Sequence, residues 1–242
     1  MLLTEFTAIP NSDFSINNAV IFHDTLNPKL FTKDGFMHGE VRRALLQIAR
    51  HFRDFIGVEL DIKDVTVSGS NAAFSYTPQS DLDLHIVVAV PDKPEFRELL
   101  DAKKNVYNAK HDIKVRGIDV ELYAQDVNQP HHSLGIYSIL RSRWIEKPTQ
   151  QDVNIDTDDV KDKYKNYRDR IILVLSDDDI DVVEDMWNDI RRMRRAGLER
   201  EGEFSTENLV FKMLRNQGWI EKLSDYMNTL QDQQLSIEQR LL

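Results

Sequence analysis

No cysteine occurs anywhere in the sequence, which excludes a disulfide framework, a cysteine-bound zinc and a thiolate nucleophile. Long apolar runs are missing as well. The longest, Ile86–Val90 and Ile171–Leu175, have five residues, against roughly 20 for a bilayer-spanning helix. The opening Met1-Leu-Leu-Thr-Glu5 has no basic flank of the kind a signal peptide carries, so the expectation is a cytoplasmic protein without a membrane partner. Four motifs are absent too: the Gly-rich loop of P-loop enzymes, the dinucleotide-binding G-x-G-x-x-G, the zincin H-E-x-x-H and the hydrolase G-x-S-x-G. Positive charge is in short supply, with 31 Lys and Arg against 41 Asp and Glu and a net charge of −10. That balance argues against tight, sequence-blind binding to nucleic acid, which depends on many phosphate contacts. Whatever chemistry the chain performs must come from carboxylates, histidines, hydroxyls and backbone.

What is present is ordinary for a folded domain: 41% hydrophobic and 30% charged residues over 242 positions. Residues 1–40, with Pro10, Pro28 and Gly35, show little periodicity and read as an ordered arm. Val41, Leu45, Ile48, Phe52 and Phe55 step by three and four, one face of a helix that Gly57 should end. Asp64–Ser68 reads as a short β-branched strand, and Thr77–Ser80 as a turn. Leu82, Leu84, Ile86 and Val88 alternate with further apolar residues between them, the pattern of a central strand. Pro91 stops it, and Pro94 suits the first turn of a helix reaching about Ala109. Ile113–Tyr123 reads as a strand or hairpin, with Gly117 as a bulge.

Pro148 and the polar stretch after it, through Asp159, read as a linker. Beyond it the stripes are helical: Val160, Tyr164, Tyr167, Ile171 and Leu175, then Ile180, Val183, Trp187 and Ile190, then Glu207–Leu230 with a break near Gly218. The expected organisation is an α/β core with its arm over 1–148 and a helical domain over 149–242. Charge divides into 17 basic and 20 acidic residues up to Pro148, then 14 and 21. Neither half is a basic module, and the second disfavours an RNA-binding role for the helices.

One segment carries chemistry. A strand delivers Gly69-Ser70, and eleven residues after Ser70 comes Asp81-Leu-Asp83 at the head of the apolar strand. Strand residues two apart share a face at a separation of about 6.5–7 Å, so Asp81 and Asp83 stand side by side. Two such carboxylates repel unless a cation lies between them, and hard Mg²⁺ suits oxygen ligands. Gly69 lets backbone come close to a phosphate, to which N–H groups and the Ser70 hydroxyl can donate. A two-metal site needs a third carboxylate that also receives the proton of an attacking hydroxyl. Arg116-Gly-Ile-Asp-Val-Glu-Leu-Tyr123 offers two on one face, Asp119 and Glu121.

This Gly-Ser, D-x-D and later h-D-h arrangement resembles the nucleotidyltransferase superfamily of DNA polymerase beta type. The resemblance implies a mixed-sheet nucleotidyltransferase core, two Mg²⁺ ions, an NTP donor and pyrophosphate release. It also favours Asp119 over Glu121, because Ile118-Asp-Val-Glu-Leu-Tyr-Ala124 is similar to that family's third-aspartate strand. The wider chain is similar to nucleotidyltransferase-like proteins of tailed bacteriophages, through His23-Asp-Thr-Leu-Asn-Pro-Lys-Leu-Phe31, the core motifs and Glu207-Asn-Leu-Val-Phe-Lys-Met-Leu-Arg-Asn-Gln-Gly-Trp-Ile-Glu-Lys-Leu223. That likeness would place it in a host cytoplasm, and it names no acceptor. One difference is Asn71-Ala-Ala-Phe74, where many members of the superfamily carry a glycine, which implies a tighter phosphate loop.

The expected site is therefore Asp81, Asp83 and Asp119 for metal and catalysis, with Gly69 and Ser70 on the NTP. The acceptor hydroxyl belongs to an RNA end, a protein or a small molecule. The competing function is a catalytically silent nucleotide-sensing or interaction module that keeps the pocket. His85 shares the Asp81/Asp83 face and reads as a supporting hydrogen-bond partner, since Mg²⁺ prefers oxygen. Lys103, Lys104, Lys110 and Lys114 could reach a triphosphate but read more simply as solvated helix charges. Arg141 and Arg143, near Tyr137, Ser138 and Trp144, read as surface arginines around a half-buried tryptophan rather than as triphosphate contacts. His131-His132 reads as a solvated loop, and Trp187 and Trp219 as core. Arg191-Arg-Met-Arg-Arg195 reads as a salt-bridged solvent face.

Overall fold

The computed structural model describes residues 14–90, 94–129 and 133–238. It divides into two compact units, one over 21–151 and one made of 152–238 with 14–20.

In the first unit, helix α1 (Gly39–Ile56) precedes β1 (Ile62–Ser68), β2 (Leu82–Val88), α2 (Pro94–Lys110), β3 (Lys114–Val115), β4 (Ile118–Asp126), β5 (Ile136–Ser138) and β6 (Arg143–Glu146). The six strands form one mixed sheet in the order β3-β4-β2-β1-β5-β6. Only β2 and β4 run parallel; every other neighbouring pair is antiparallel. Parallel neighbours need a crossover, and α2 supplies it. The class is the expected α/β one, a mixed sheet followed by helices.

The local reasons are legible. Val41, Leu45, Ala49, Phe52 and Ile56 are the buried stripe of α1, which stops where Gly57 turns left-handed at φ 75°. Leu82, Leu84 and Ile86 are buried and join Phe52, Leu100, Tyr107 and Leu122 in one core. Sheet positions of the opposite parity carry Thr66, Ser68, Asp83, His85, Glu121 and Tyr123, so that face is polar.

Gly117 is not a bulge. Arg116 (φ 51°) and Gly117 (φ 76°) form the two-residue turn between β3 and β4, with Val115 opposite Ile118, and two positive φ values are what a type I′ hairpin requires. The Arg116 guanidinium donates to the Lys29 carbonyl at 2.8 Å and pairs with Glu40, which anchors a non-glycine residue in that region. The sequence pattern predicts neither β5 nor β6. They are three and four residues long, too short to show a period.

The second unit contains α3 (Thr157–Val174), α4 (Ile180–Glu201), α5 (Thr206–Asn216) and α6 (Trp219–Glu238). Asp156, Asp179 and Ser205 cap α3, α4 and α5 by accepting from the backbone N–H groups of Asp159, Asp181 and Asn208. Gly218, at φ 78°, separates α5 from α6 where the break was expected. The core includes Val160, Tyr164, Ile171, Val183, Ile190 and Trp219, with Trp187 packed against it. Phe14, Ile16, Ala19 and Val20 join that cluster, so the described part of the arm is shared between units, and residues through 151 belong with the sheet.

Candidate active site

The Gly-Ser segment leaves β1 beside the head of β2, with Ser68 opposite Asp83. Gly69 adopts φ 73°, ψ −166°, a region essentially reserved for glycine. A Cβ at this position would overlap Asp83 Oδ2. Gly69 thus serves close approach of a carboxylate to backbone. Ser70–Ala72 then form a single 3₁₀ turn. The Ser70 hydroxyl donates to Ser80 Oγ at 2.9 Å, and Ser80 Oγ accepts the Thr77 N–H at 2.9 Å. The Gly69 N–H donates to Ser133 Oγ at 2.9 Å. Ser133 was not anticipated, because nothing local in the sequence ties it to a turn 64 residues earlier.

The third-carboxylate strand aligns in parallel with β2: Leu82 faces Val120, Asp83 faces Glu121 and His85 faces Tyr123. A cleft of about 270 Å³ at this end of the strands is lined by Asp81, Asn108, His111, Asp112, Ile113, Asp119, Val120 and Glu121. Asp81, Asp119 and Glu121 therefore border one space. Asp83 is adjacent, opposite Glu121 and turned to Gly69. Asp119 is more than half exposed and accepts from Lys114 Nζ at 2.5 Å, while Asp112 lies 3.5 Å from the same ammonium. That hydrogen bond to Asp119, with the charges of Asp112 and Asp119, raises the Lys114 pKa above its ordinary value. Lys114 is a strand residue paired with Asp119, not a solvated helix charge.

Among the described residues, no three His, Asp or Glu side chains form a group that could hold a metal ion as they stand. The donor set nonetheless fits Mg²⁺ in kind. Asp81, Asp83, Asp119 and Glu121 all offer hard carboxylate oxygens, and Asp119 is presently neutralised by Lys114.

Behind the carboxylates, Tyr123 is held above the ordinary phenol range by burial first, then by the charges of Asp83 and Glu121, its hydrogen bond with Glu121 and the charge of Asp81. Its ring stacks on His85 at 4.9 Å, and His85 Nε2 lies 3.0 Å from Ser68 Oγ. Lys104 Nζ lies 5.6 Å from the Tyr123 ring centre. The cleft wall is braced by Asn108, whose amide both donates to the Leu122 carbonyl and accepts the Leu122 N–H, at 2.9 and 3.2 Å. His111 packs against Tyr107 at 4.5 Å. Neither was singled out in the sequence, since both sit at or after the end of an ordinary-looking helix.

Other candidates are used structurally. Lys103 lies over the Phe55 ring at 5.4 Å, and Lys110 ends α2. Arg141 Nε lies 3.5 Å from buried Asp64, whose other oxygen accepts from Ser138 at 2.8 Å. Tyr137 is buried, Trp144 donates to the Gly35 carbonyl at 2.8 Å, and Arg143 is exposed on β6. In the helical unit Arg192 pairs with Asp189 at 3.6 Å, Arg194 covers the Phe211 ring at 4.1 Å and Met193 is buried. His131 and His132 lie outside the described residues. No described helix is long and apolar enough to cross a membrane.

No protein-family model matches the chain, and no curated protein matches it by sequence. Among solved structures, it is similar to a STING-associated CdnE c-di-GMP synthase from Capnocytophaga granulosa, at 12% identity over 84% of each chain and a TM-score of 0.22. A likeness of that size carries no inference about chemistry.

Proposed function

We propose that this chain is a Mg²⁺-dependent nucleotidyltransferase, which moves a nucleoside monophosphate from an NTP to a hydroxyl acceptor and releases pyrophosphate. The observation that carries the reading is the meeting of Asp81, Asp119 and Glu121 in one cleft beside Asp83, whose carboxylate rests on the Cβ-free Gly69. Asp81, Asp83 and Asp119 would hold two Mg²⁺ ions, which when bound offset the charge on the transferring phosphoryl group. Asp119, more exposed than Asp81 and Asp83, would take the acceptor's proton. On binding of the triphosphate, the Gly69 N–H and the Ser70 hydroxyl would exchange their Ser133 and Ser80 partners for phosphate oxygens.

A second reading, a nucleotide sensor without turnover, has its own support. The Asp119 carboxylate, the third ligand that turnover needs, is paired with Lys114. Incubating the full chain with Mg²⁺, cell lysate and each NTP labelled at the α- or the γ-phosphate separates the two. Transfer of α-label but not γ-label to an RNA, protein or small molecule is the expected result. NTP binding without any transfer would leave the sensor.

A further inference from the structure

Asn71 is a buried polar residue that no proposed step uses. It is 1% exposed and follows directly on the Gly69-Ser70 pair. Its amide nitrogen donates to two main-chain carbonyls, Ser80 at 2.9 Å and Asp81 at 2.8 Å. Carbonyl oxygens only accept, so this orientation of the amide is forced. Its own oxygen must then find a donor, and the Asn27 amide nitrogen supplies one at 2.7 Å. Asn27, 6% exposed, presents its remaining oxygen to the Lys29 N–H at 3.0 Å. The relay has one consistent direction, from the Lys29 N–H through two amides to the backbone of Asp81.

The same arm grips the loop between Gly69 and Asp81 at a second point. The His23 N–H donates to the Phe74 carbonyl at 2.8 Å, the His23 ring stacks on Tyr76 at 3.8 Å, and its Nε2 donates to the Tyr76 carbonyl at 2.9 Å. The 69–81 loop is therefore tied to residues 23–29, far away in the chain, at Asn71 and again at Phe74 and Tyr76.

From this geometry we infer that Asn27 and Asn71 are a pair of positioning residues that set the main chain of Asp81 relative to Gly69 and Asp83, and so tune divalent-cation affinity at the cleft. The inference rests on the metal-dependent reading above. A buried amide bonded at every polar atom has no freedom to rotate, so the carbonyl it clamps, and the side chain one bond further on, are held as well. Replacing Asn71 by Asp keeps the shape but sets a carboxylate oxygen against two carbonyls. Asn27→Ala removes the orienting donor while leaving both Asn71 donors in place.

The test uses the full chain and Mn²⁺ as a spectroscopic probe, with no nucleotide present. Mn²⁺ binding is measured by electron paramagnetic resonance, and backbone amide exchange over 79–83 by mass spectrometry. Wild type, Asn71→Asp, Asn27→Ala, Asp83→Asn and Leu45→Ala are compared; Leu45 is a fully buried residue of α1 in the same core as Leu82 and Leu84, and its truncation controls for lost stability of that unit alone. Residues supporting a metal ligand typically change affinity by about 10–100-fold. Asn71→Asp is expected to weaken Mn²⁺ by that order and speed exchange over 79–83. Asn27→Ala should do the same to a lesser degree, and Leu45→Ala should speed exchange across the whole unit while leaving Mn²⁺ affinity unchanged. Wild-type Mn²⁺ affinity in a folded Asn71→Asp or, if that variant does not fold, in Asn27→Ala, would overturn the positioning role and leave the proposed function standing. Wild type that binds no Mn²⁺, or binds it equally well as Asp83→Asn, would overturn both.

Discussion

The carboxylate of Asp83 occupies the space where any side chain on Gly69 would begin, and Gly69 in turn holds φ 73°, ψ −166° to make that space available. The two halves of the motif are thus one steric unit. Loss of either changes the other.

Gly69→Ala is accordingly expected to be damaging twice. Backbone held in this glycine-only region costs about 1–3 kcal/mol, and the new methyl also displaces Asp83. The thermal midpoint should fall and NMP transfer should drop to background. A variant with wild-type transfer would show that the contact between 69 and 83 is incidental.

Asp83→Asn separates chemistry from folding. Charge stabilisation of this kind contributes several kcal/mol, and about 1.4 kcal/mol is tenfold in rate, so NMP transfer should fall by orders of magnitude. The fold should survive, because removing one of the neighbouring carboxylate charges relieves repulsion. Thermal midpoints with and without Mg²⁺ check this: wild type should gain from Mg²⁺ and Asp83→Asn should not.

Asp119 and Glu121 border the same cleft, but one is paired with Lys114 and the other hydrogen bonds Tyr123. With Asp119 as third ligand, Asp119→Asn abolishes transfer while Glu121→Gln lowers it by a smaller factor. The reverse order in single-turnover rates would exchange their roles. Lys114→Met should strengthen Mg²⁺ binding, by removing the cation that holds Asp119.

Glu207 tests the helical unit through pH. Burial alone would raise its pKa, but the hydrogen bond from Lys163, with the charges of Lys163 and Arg200, outweighs that and lowers it. A carboxylate with a depressed folded pKa stabilises above the ordinary carboxylate range, and that stability is lost as pH falls through the folded value. Glu207→Gln should cost about 1.5–3 kcal/mol at neutral pH, the size of hydrogen bonds to charged groups. Its unfolding midpoint should also vary less than wild type between pH 5 and 2, about the window in which acids of this type titrate. Equal slopes for the two proteins would remove the linkage.

Local pattern decided a good deal of this protein. The i, i+3, i+4 stripe from Val41 specifies α1, because a helix buries one face only, and Gly57 specifies its end. The alternation through Leu82, Leu84 and Ile86 specifies β2 and puts Asp83 and His85 on the opposite face, since side chains alternate across a strand. Spacing also made Asp119 and Glu121 equal candidates. Only the tertiary structure distinguishes their surroundings, because strand register and a lysine on the neighbouring hairpin strand set them. The same holds for β5 and β6, which exist through pairing with β1 and each other rather than through any period of their own. Ser133 on Gly69 and Asn27 on Asn71 join positions 64 and 44 residues apart. Buried polar groups must find partners wherever the chain brings them, and no sequence window reports where that will be.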